Sequence, residues 1–253
     1  MRFTLSSSAL NARLQSLAKV INSKNALPIL DSFLFDVRNG QLKLTASDSE
    51  NVMTTVMTLD EHDGEGSFAV PNRTILDAVK ELPEQPLTFE IDLAALTITI
   101  SYQNGAYNFT AQNAEEYPRA QVVPDSATTI VINATTLINN VSRTLFATAT
   151  DELRPVMNGI YFDLKPDYLA IVATDGHKLV RNQILNIKSD TPASFILPKK
   201  PANLIKSVLT KGDSDVTIKF DDRSAEIKFE NGQLICRLLE GSYPNYNSVI
   251  PEN

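Results

Sequence analysis

The sequence is poor in the residues that build disulfides and metal sites. Cys236 is the only cysteine among 253 residues, so no disulfide can form within one chain. The two histidines, His62 and His177, lie far apart in sequence, and one thiol with two distant imidazoles is a poor basis for a zinc site. We therefore expect no metal centre.

Long apolar runs are also missing. No stretch of 18 apolar residues occurs, and the N-terminus has no apolar segment followed by a cleavage site. We expect no membrane association and a cytoplasmic location. Hydrophobic residues make up 43% and charged residues 21%, which is typical of a folded globular chain long enough for two domains.

The sequence lacks the common catalytic and cofactor-binding motifs. GxxxxGK[ST], GxGxxG, GxSxG and HExxH are all absent, so we expect neither a cofactor nor enzyme activity. A zinc finger, tryptophan and an aromatic RNA-binding run are absent too, so base-specific readout is not expected. The formal charge of −7 argues weakly against broad nucleic-acid binding.

A long internal repeat is present instead. Ala46-Ser47-Asp48 and Ala173-Thr174-Asp175 are separated by 127 residues, the difference between positions 46 and 173. The same offset pairs Leu10 with Leu137, Phe35 with Phe162, Pro71 with Pro198 and Asn104-Gly105 with Asn231-Gly232. It slips by one only where Tyr117-Pro118 matches Tyr243-Pro244. This pattern predicts a duplicated domain, with copies at residues 1–125 and 126–253.

The apolar periodicity predicts an α+β fold. A first helix, capped by Ser7 or Ser8, carries Leu10, Leu14, Leu17 and Ile21 on one face. A second amphipathic helix around Ile75 to Leu82 ends before Pro83. Alternating segments such as Ile29–Val37 predict antiparallel strands, so each copy should follow the order β-α-βββ twice.

Basic residues are concentrated in the helices. The four predicted helices and the residues that lead into them hold ten basic and two acidic side chains, a net charge of +8, which leaves −15 for the remaining residues of this −7 chain. Such a distribution favours sequence-independent contact with phosphates on one face. The alternative is that these are ordinary solvated helix surfaces.

Neither Asp48 nor Asp175 is expected to be catalytic. They occupy the same position in two different domains, which places them too far apart to act as a carboxylate pair. A hydrolase that uses His177 and Asp175 is an alternative, but no neighbouring serine or cysteine provides a nucleophile. An Asp-Gly-His sequence at a strand end is also typical of a tight turn.

Several separated motifs together resemble one family. Leu27-Pro28-Ile29-Leu30, Met157-Asn158-Gly159, the stretch 173–179 and Tyr243-Pro244-Asn245-Tyr246 closely resemble the bacterial sliding clamps, the β subunits of DNA polymerase III. The resemblance implies clamp-fold domains with antiparallel sheets outside and two helices per domain facing DNA. It also implies three domains per chain and a ring built from a head-to-tail homodimer.

This sequence contains the first two of those domains. Whether it is naturally short or truncated is left open, and we expect the two-domain form to be a monomer or to associate weakly.

The resemblance also implies two kinds of site. Positions that contact or face double-stranded DNA are Lys24, Arg73, Lys199 and Lys200. Helix placement adds Arg13, Lys19, Lys80, Arg143 and Lys206.

A partner-peptide pocket is implied for short motifs of the DNA polymerase III α subunit, the clamp loader and repair proteins. Its residues are Met157, Thr174, Gly176, His177, Leu179, Pro244 and Val249, with Arg154 and Lys178 at the rim. Ser248 stands where the family is often basic, and a wall from the third domain is missing, so we expect reduced affinity. The alternative function is a peptide-binding module that does not encircle DNA.

Overall fold

The computed structural model describes residues 1–251 and has an α+β fold with antiparallel sheets. Within that range the α-helices are α1 (Ser7–Ala18), α2 (Asn72–Val79), α3 (Ala134–Leu145) and α4 (Lys199–Val208). The strands are β1 (Arg2–Ser6), β2 (Ser32–Arg38), β3 (Gln41–Ser47), β4 (Asn51–Thr58), β5 (Glu61–Asp63), β6 (Gly66–Pro71), β7 (Pro86–Asp92), β8 (Thr97–Tyr102), β9 (Gly105–Thr110), β10 (Gln112–Asn113), β11 (Thr128–Asn133), β12 (Gly159–Leu164), β13 (Leu169–Thr174), β14 (Leu179–Ile184), β15 (Ala193–Pro198), β16 (Asp215–Phe220), β17 (Ser224–Phe229) and β18 (Gly232–Arg237). None of the helices in this range is long and apolar enough to cross a bilayer.

The chain divides into two compact units. Unit 1 comprises residues 1–120 with 231–233, and unit 2 comprises residues 121–230 and the chain from 234 onward. The boundary at residue 125 drawn from the sequence stays a prediction.

Unit 1 contains two antiparallel sheets and a helix pair. One sheet has the order β5-β1-β7-β8-β9, and the other has the order β10-β6-β2-β3-β4. Helix α1 buries Leu10, Leu14 and Leu17 and packs against α2, β3 and β4. Phe35 stacks on Phe68 at 5.1 Å, so the core is formed by the apolar helix face and the inward side chains of the strands.

Unit 2 repeats this arrangement. Its sheets have the orders β14-β13-β12-β15 and β18-β17-β16-β11. Helix α3 covers the same residues as α1 shifted by 127, and β15, β17 and β18 match β6, β8 and β9 at that offset. The internal repeat predicted from the sequence is confirmed.

The start of α1 differs from the prediction. Ser6 is the N-cap, because its Oγ accepts a hydrogen bond from the Ala9 N–H at 3.1 Å. Ser7 is fully buried, and its hydroxyl donates to the Pro83 carbonyl at 2.8 Å. The prediction of Ser7 or Ser8 as the cap was therefore wrong.

The segment predicted as a strand over Ile29–Val37 begins as a 3-10 helix. Pro28–Asp31 forms a single turn, and β2 starts only at Ser32. Proline suits the first position of such a turn because its φ is fixed and its missing N–H is not needed there. The equivalent turn, Pro155–Asn158, occurs in unit 2 and buries Met157.

Candidate partner-binding pocket and basic helix surfaces

A tight turn joins β13 to β14. The Asp175 carboxylate accepts hydrogen bonds from the backbone N–H groups of His177 at 2.9 Å and Lys178 at 3.0 Å, and it also pairs with the Lys178 ammonium. The Lys178 side chain, followed by these backbone donors, holds the pKa of Asp175 well below its ordinary value. Gly176 has φ +89°, a left-handed conformation that favours glycine. Asp175 therefore shapes the turn.

Asp48 has the same local role in unit 1. Its Oδ1 accepts from the backbone N–H groups of Glu50 at 3.0 Å and Asn51 at 2.7 Å, at the turn between β3 and β4. The aspartates are thus equivalent turn residues. Across residues 1–251, no three His, Cys, Asp or Glu side chains converge as metal ligands would.

The turn in unit 2 forms one side of an open cavity of about 440 Å³. Met157 is only 3% exposed, Leu179 is half-buried, and Val249 is 69% exposed. These side chains give the cavity an apolar lining. The cavity is lined by all nine residues predicted for the pocket, namely Arg154, Met157, Thr174, Gly176, His177, Lys178, Leu179, Pro244 and Val249.

Sequence reasoning missed two residues that line this cavity, Asn245 and Tyr246. Both lie in the Tyr243-to-Tyr246 motif already noted, so the signal was present in the sequence. Tyr246 is 4% exposed and begins a 3-10 helix, Tyr246–Val249, which carries Val249. The motif therefore forms a larger part of the wall than Pro244 alone.

Aromatic contacts hold this wall in place. Tyr243 stacks on Tyr161 with ring centroids 4.5 Å apart, and its hydroxyl accepts a hydrogen bond from the Thr174 N–H at 3.0 Å. The Tyr246 hydroxyl donates to Asp163 Oδ2 at 2.7 Å. Burial raises the pKa of Tyr243 to about 12, so its phenol stays neutral at ordinary pH. These contacts fix the wall of the pocket from within unit 2.

The rim cations of the pocket are already paired. Arg154 Nε lies 2.8 Å from Asp151 Oδ2, and the Lys178 ammonium pairs with Asp175. The hydrogen bond from Arg154 is the main cause of the lowered pKa of Asp151. These ion pairs reduce the net charge that a ligand meets at the rim.

The nine predicted DNA-contact residues differ in position. Arg13, Arg73, Arg143, Lys199, Lys200 and Lys206 lie within α-helices. Lys19 and Lys80 directly follow α1 and α2, so the helical placement expected for these two was wrong. Lys24, assigned by resemblance, lies in the loop before the first 3-10 helix.

Exposure and pairing also separate the basic residues. Arg73, Arg143, Lys206, Lys19 and Lys24 are exposed. The Lys80 ammonium lies 2.7 Å from Asp77 Oδ1, which raises the pKa of Lys80. The half-buried Lys199 donates from Nζ to Thr150 Oγ1 at 2.9 Å.

Comparison with known proteins identifies the family. Residues 1–121 match the model of the DNA polymerase III beta subunit N-terminal domain, and residues 131–245 match that of its central domain. A beta sliding clamp from Halalkalibacterium halodurans is 27% identical over 262 residues, and one from Staphylococcus epidermidis is 29% identical over 263 residues. Each match covers 100% of this chain and 68% of the relative.

Solved structures agree with this result. A Pseudomonas aeruginosa sliding clamp bound to griselimycin matches with a TM-score of 0.93 at 26% identity, and the Bacillus subtilis clamp matches with a TM-score of 0.91 at 26% identity. Both comparisons cover 100% of this chain and 68% of the solved chain. The chain therefore belongs to the family of bacterial DNA polymerase III beta subunits, the beta sliding clamps.

Proposed function

We propose that this protein is a DNA sliding clamp, a processivity factor that surrounds duplex DNA and tethers the replicative polymerase without catalysing a reaction. The observation that carries this proposal is the apolar pocket of unit 2 in a chain whose two repeated units both match clamp domains. A clamp needs no catalytic group, because its effect on synthesis comes from keeping the polymerase attached to its template. The cytoplasmic location stays a prediction.

The pocket receives short peptide motifs from the DNA polymerase III α subunit, the clamp loader and repair proteins. Met157 and Leu179 provide a soft, apolar surface suited to leucine or phenylalanine anchors. Because Arg154 and Lys178 are both ion-paired, burial of these anchors contributes more affinity than rim charge does.

The nine predicted DNA-contact residues contact the phosphates of duplex DNA without reading its sequence. Exposed residues such as Arg73, Lys24 and Lys206 are best placed for this contact, whereas Lys80 must share its charge with Asp77. A protein that slides should make only a small number of phosphate contacts, because each tight contact would slow its movement. The acidic side chains on strands and loops lie outside the predicted DNA-contact residues, so they are compatible with this role.

Strand β9 is a candidate surface for head-to-tail dimerisation. It is the last strand of its five-stranded sheet, and an edge strand exposes backbone groups that can pair with another chain. Tyr107 and Phe109, whose rings stack at 6.1 Å, add apolar area along the edge. We propose that β9 pairs with a second chain in the ring.

A charge-reversal experiment separates the clamp from a peptide-binding module. In one variant, glutamate replaces Lys24, Arg73, Lys199 and Lys200. Two quantities are then measured, namely retention on circular DNA after loading and binding of a partner peptide. The clamp proposal predicts a large loss of DNA retention and unchanged peptide binding. Unchanged retention would instead favour the module.

A matched control variant carries the same charge change at basic residues outside the predicted DNA-contact set. Glutamate replaces the exposed residues Lys43, Lys188, Arg223 and Arg237. This variant should retain DNA like the unmodified protein, because none of its changes is at a predicted DNA-contact residue. If both variants lose DNA equally, net charge and not the helix surface controls retention.

A further inference from the structure

Unit 1 has a large groove that the clamp function does not use. Its volume is about 770 Å³, and it lies across the β10-β6-β2-β3-β4 sheet. Leu34 and Asp36 line the groove from β2, on the face opposite the buried side chains of Phe33, Phe35 and Val37. The chain from Tyr117 to Ala120 forms one wall.

The equivalent face of unit 2 is covered by the chain itself. At the 127-residue offset, Tyr161 is the counterpart of Leu34, and Asp163 is the counterpart of Asp36. In unit 2, Tyr243 stacks on Tyr161, and Tyr246 packs beside Ala170 and Val172 in the same apolar cluster.

In unit 2 the face is covered by residues 243–246, here called the covering segment. The first tyrosine of this segment has a counterpart in unit 1. Tyr117 corresponds to Tyr243 and is 5% exposed. The Tyr117 hydroxyl donates to the Ser32 carbonyl at 3.4 Å, whereas the Tyr243 hydroxyl accepts from the Thr174 N–H at 3.0 Å. Both segments therefore begin with a tyrosine whose hydroxyl is bonded to the backbone of its own sheet.

The second tyrosine is missing. Because Tyr117-Pro118 matches Tyr243-Pro244, Ala120 stands where unit 2 has Tyr246. A methyl group replaces a buried phenol, and Ala120 lines the open groove of unit 1.

The hydrogen-bond acceptor for that tyrosine is still present. Asp163 Oδ2 accepts from the Tyr246 hydroxyl at 2.7 Å and pairs with Lys165 at 3.2 Å. At the equivalent position, Asp36 accepts from Arg38 Nε at 3.0 Å and Ser67 Oγ at 2.7 Å, both through Oδ1. Within residues 1–251 no donor is bonded to Asp36 Oδ2.

We propose that this groove binds an extended peptide segment of a partner protein, with a tyrosine ring beside Leu34 and Thr45, the counterparts of Tyr161 and Val172, and its hydroxyl donated to Asp36. Lys43 and Arg119 also line the groove, are exposed, and have no ion-pair partner within residues 1–251. This would be a second partner site, in a different unit from the pocket at Met157.

The test uses the chain's own covering segment as the probe. A fluorescein-labelled peptide with the sequence of residues 243–249, Tyr-Pro-Asn-Tyr-Asn-Ser-Val, is titrated with the protein and followed by fluorescence anisotropy. We expect saturable binding at about millimolar concentration or below. The same peptide with phenylalanine as its second aromatic residue should bind about tenfold more weakly, because it lacks the hydroxyl that donates to Asp36.

Two protein variants locate the binding. Ala120→Tyr places a tyrosine of the protein's own chain in the groove and should abolish peptide binding. Asp36→Asn should weaken peptide binding about tenfold. Leu179→Ala, in the pocket of unit 2, should leave the peptide affinity unchanged. Absence of binding, equal binding of both peptides, or full binding by Ala120→Tyr overturns the proposal. Because Ala120→Tyr fills a groove, its thermal stability should not fall, and this checks that lost binding does not reflect unfolding.

Discussion

Substitution of Met157 separates the pocket's role in binding from its role in stability. Met157 is 3% exposed and lines the cavity, so Met157→Ala removes buried apolar contacts from both the unit 2 core and the ligand surface. Truncation of a buried methionine to alanine costs about 2–5 kcal/mol in the free energy of unfolding. We expect about 2 kcal/mol, because one side of Met157 already borders open space.

The repeat provides a matched control for this substitution. Leu30 is the unit 1 counterpart of Met157, is fully buried, and packs with Ile29, Ala69 and Tyr117. Leu30→Ala should therefore cost more, about 3–4 kcal/mol, because Leu30 is 0% exposed whereas Met157 borders an open cavity. It lies in the other unit and should not change ligand affinity.

The assay combines urea unfolding with isothermal titration of a short partner peptide that carries leucine and phenylalanine anchors, the ligand class proposed for this pocket. We predict that Met157→Ala weakens peptide binding at least about tenfold, as expected for a central apolar contact. Leu30→Ala should bind like the unmodified protein despite its larger loss of stability. Unchanged affinity in Met157→Ala would refute the assignment of the pocket as the ligand site.

Three further predictions concern the turn, the buried thiol and the helix surface. Gly176→Ala should lower the free energy of unfolding by about 1–2 kcal/mol in urea, because its φ of +89° is unfavourable for alanine; a neutral effect would show that the turn relaxes easily. Burial raises the pKa of Cys236 from 9.0 to about 12, so the unfolded chain loses its thiol proton above pH 9 while the folded chain keeps it. Stability should thus fall by about 4 kcal/mol as pH rises from 9 to 12, and Cys236→Ala should lack this component in unfolding measured against pH. Arg73→Gln should reduce the salt dependence of DNA binding by about one phosphate contact, and Lys80→Gln should reduce it less because of the pair with Asp77; equal slopes would contradict this ranking.

The repeat could be read from the sequence because both copies preserve the same buried positions. Phe35 and Phe162 are both almost fully buried in equivalent strands, and core packing restricts what such positions accept. The turn aspartates were predictable for a similar reason, since the backbone N–H groups after Asp48 and Asp175 need an acceptor.

The pocket was predicted through motif resemblance, and its limits show what resemblance misses. Tyr246 contributes because the 3-10 helix turns its ring inward and Asp163 accepts its hydroxyl proton, two facts that depend on contacts between distant residues. The pairing of Lys80 with Asp77 likewise depends on helix geometry and was not read from composition.

The unit 1 groove depends on a side chain that is absent. Ala120 is unremarkable as a sequence position, and only the folded repeat shows that it replaces the tyrosine that covers the equivalent face. Sequence comparison of the two copies gives the alignment, but the open space and the Asp36 acceptor follow from the three-dimensional arrangement.

The most direct test of the clamp function is retention on DNA of different topology. The protein in its native assembly is loaded on nicked circular duplex DNA by its clamp loader and separated by gel filtration, before and after a single restriction cut. A clamp stays with the circle at moderate salt and leaves once the cut provides free ends. Retention on the linear DNA, at the same salt, would contradict the proposed function.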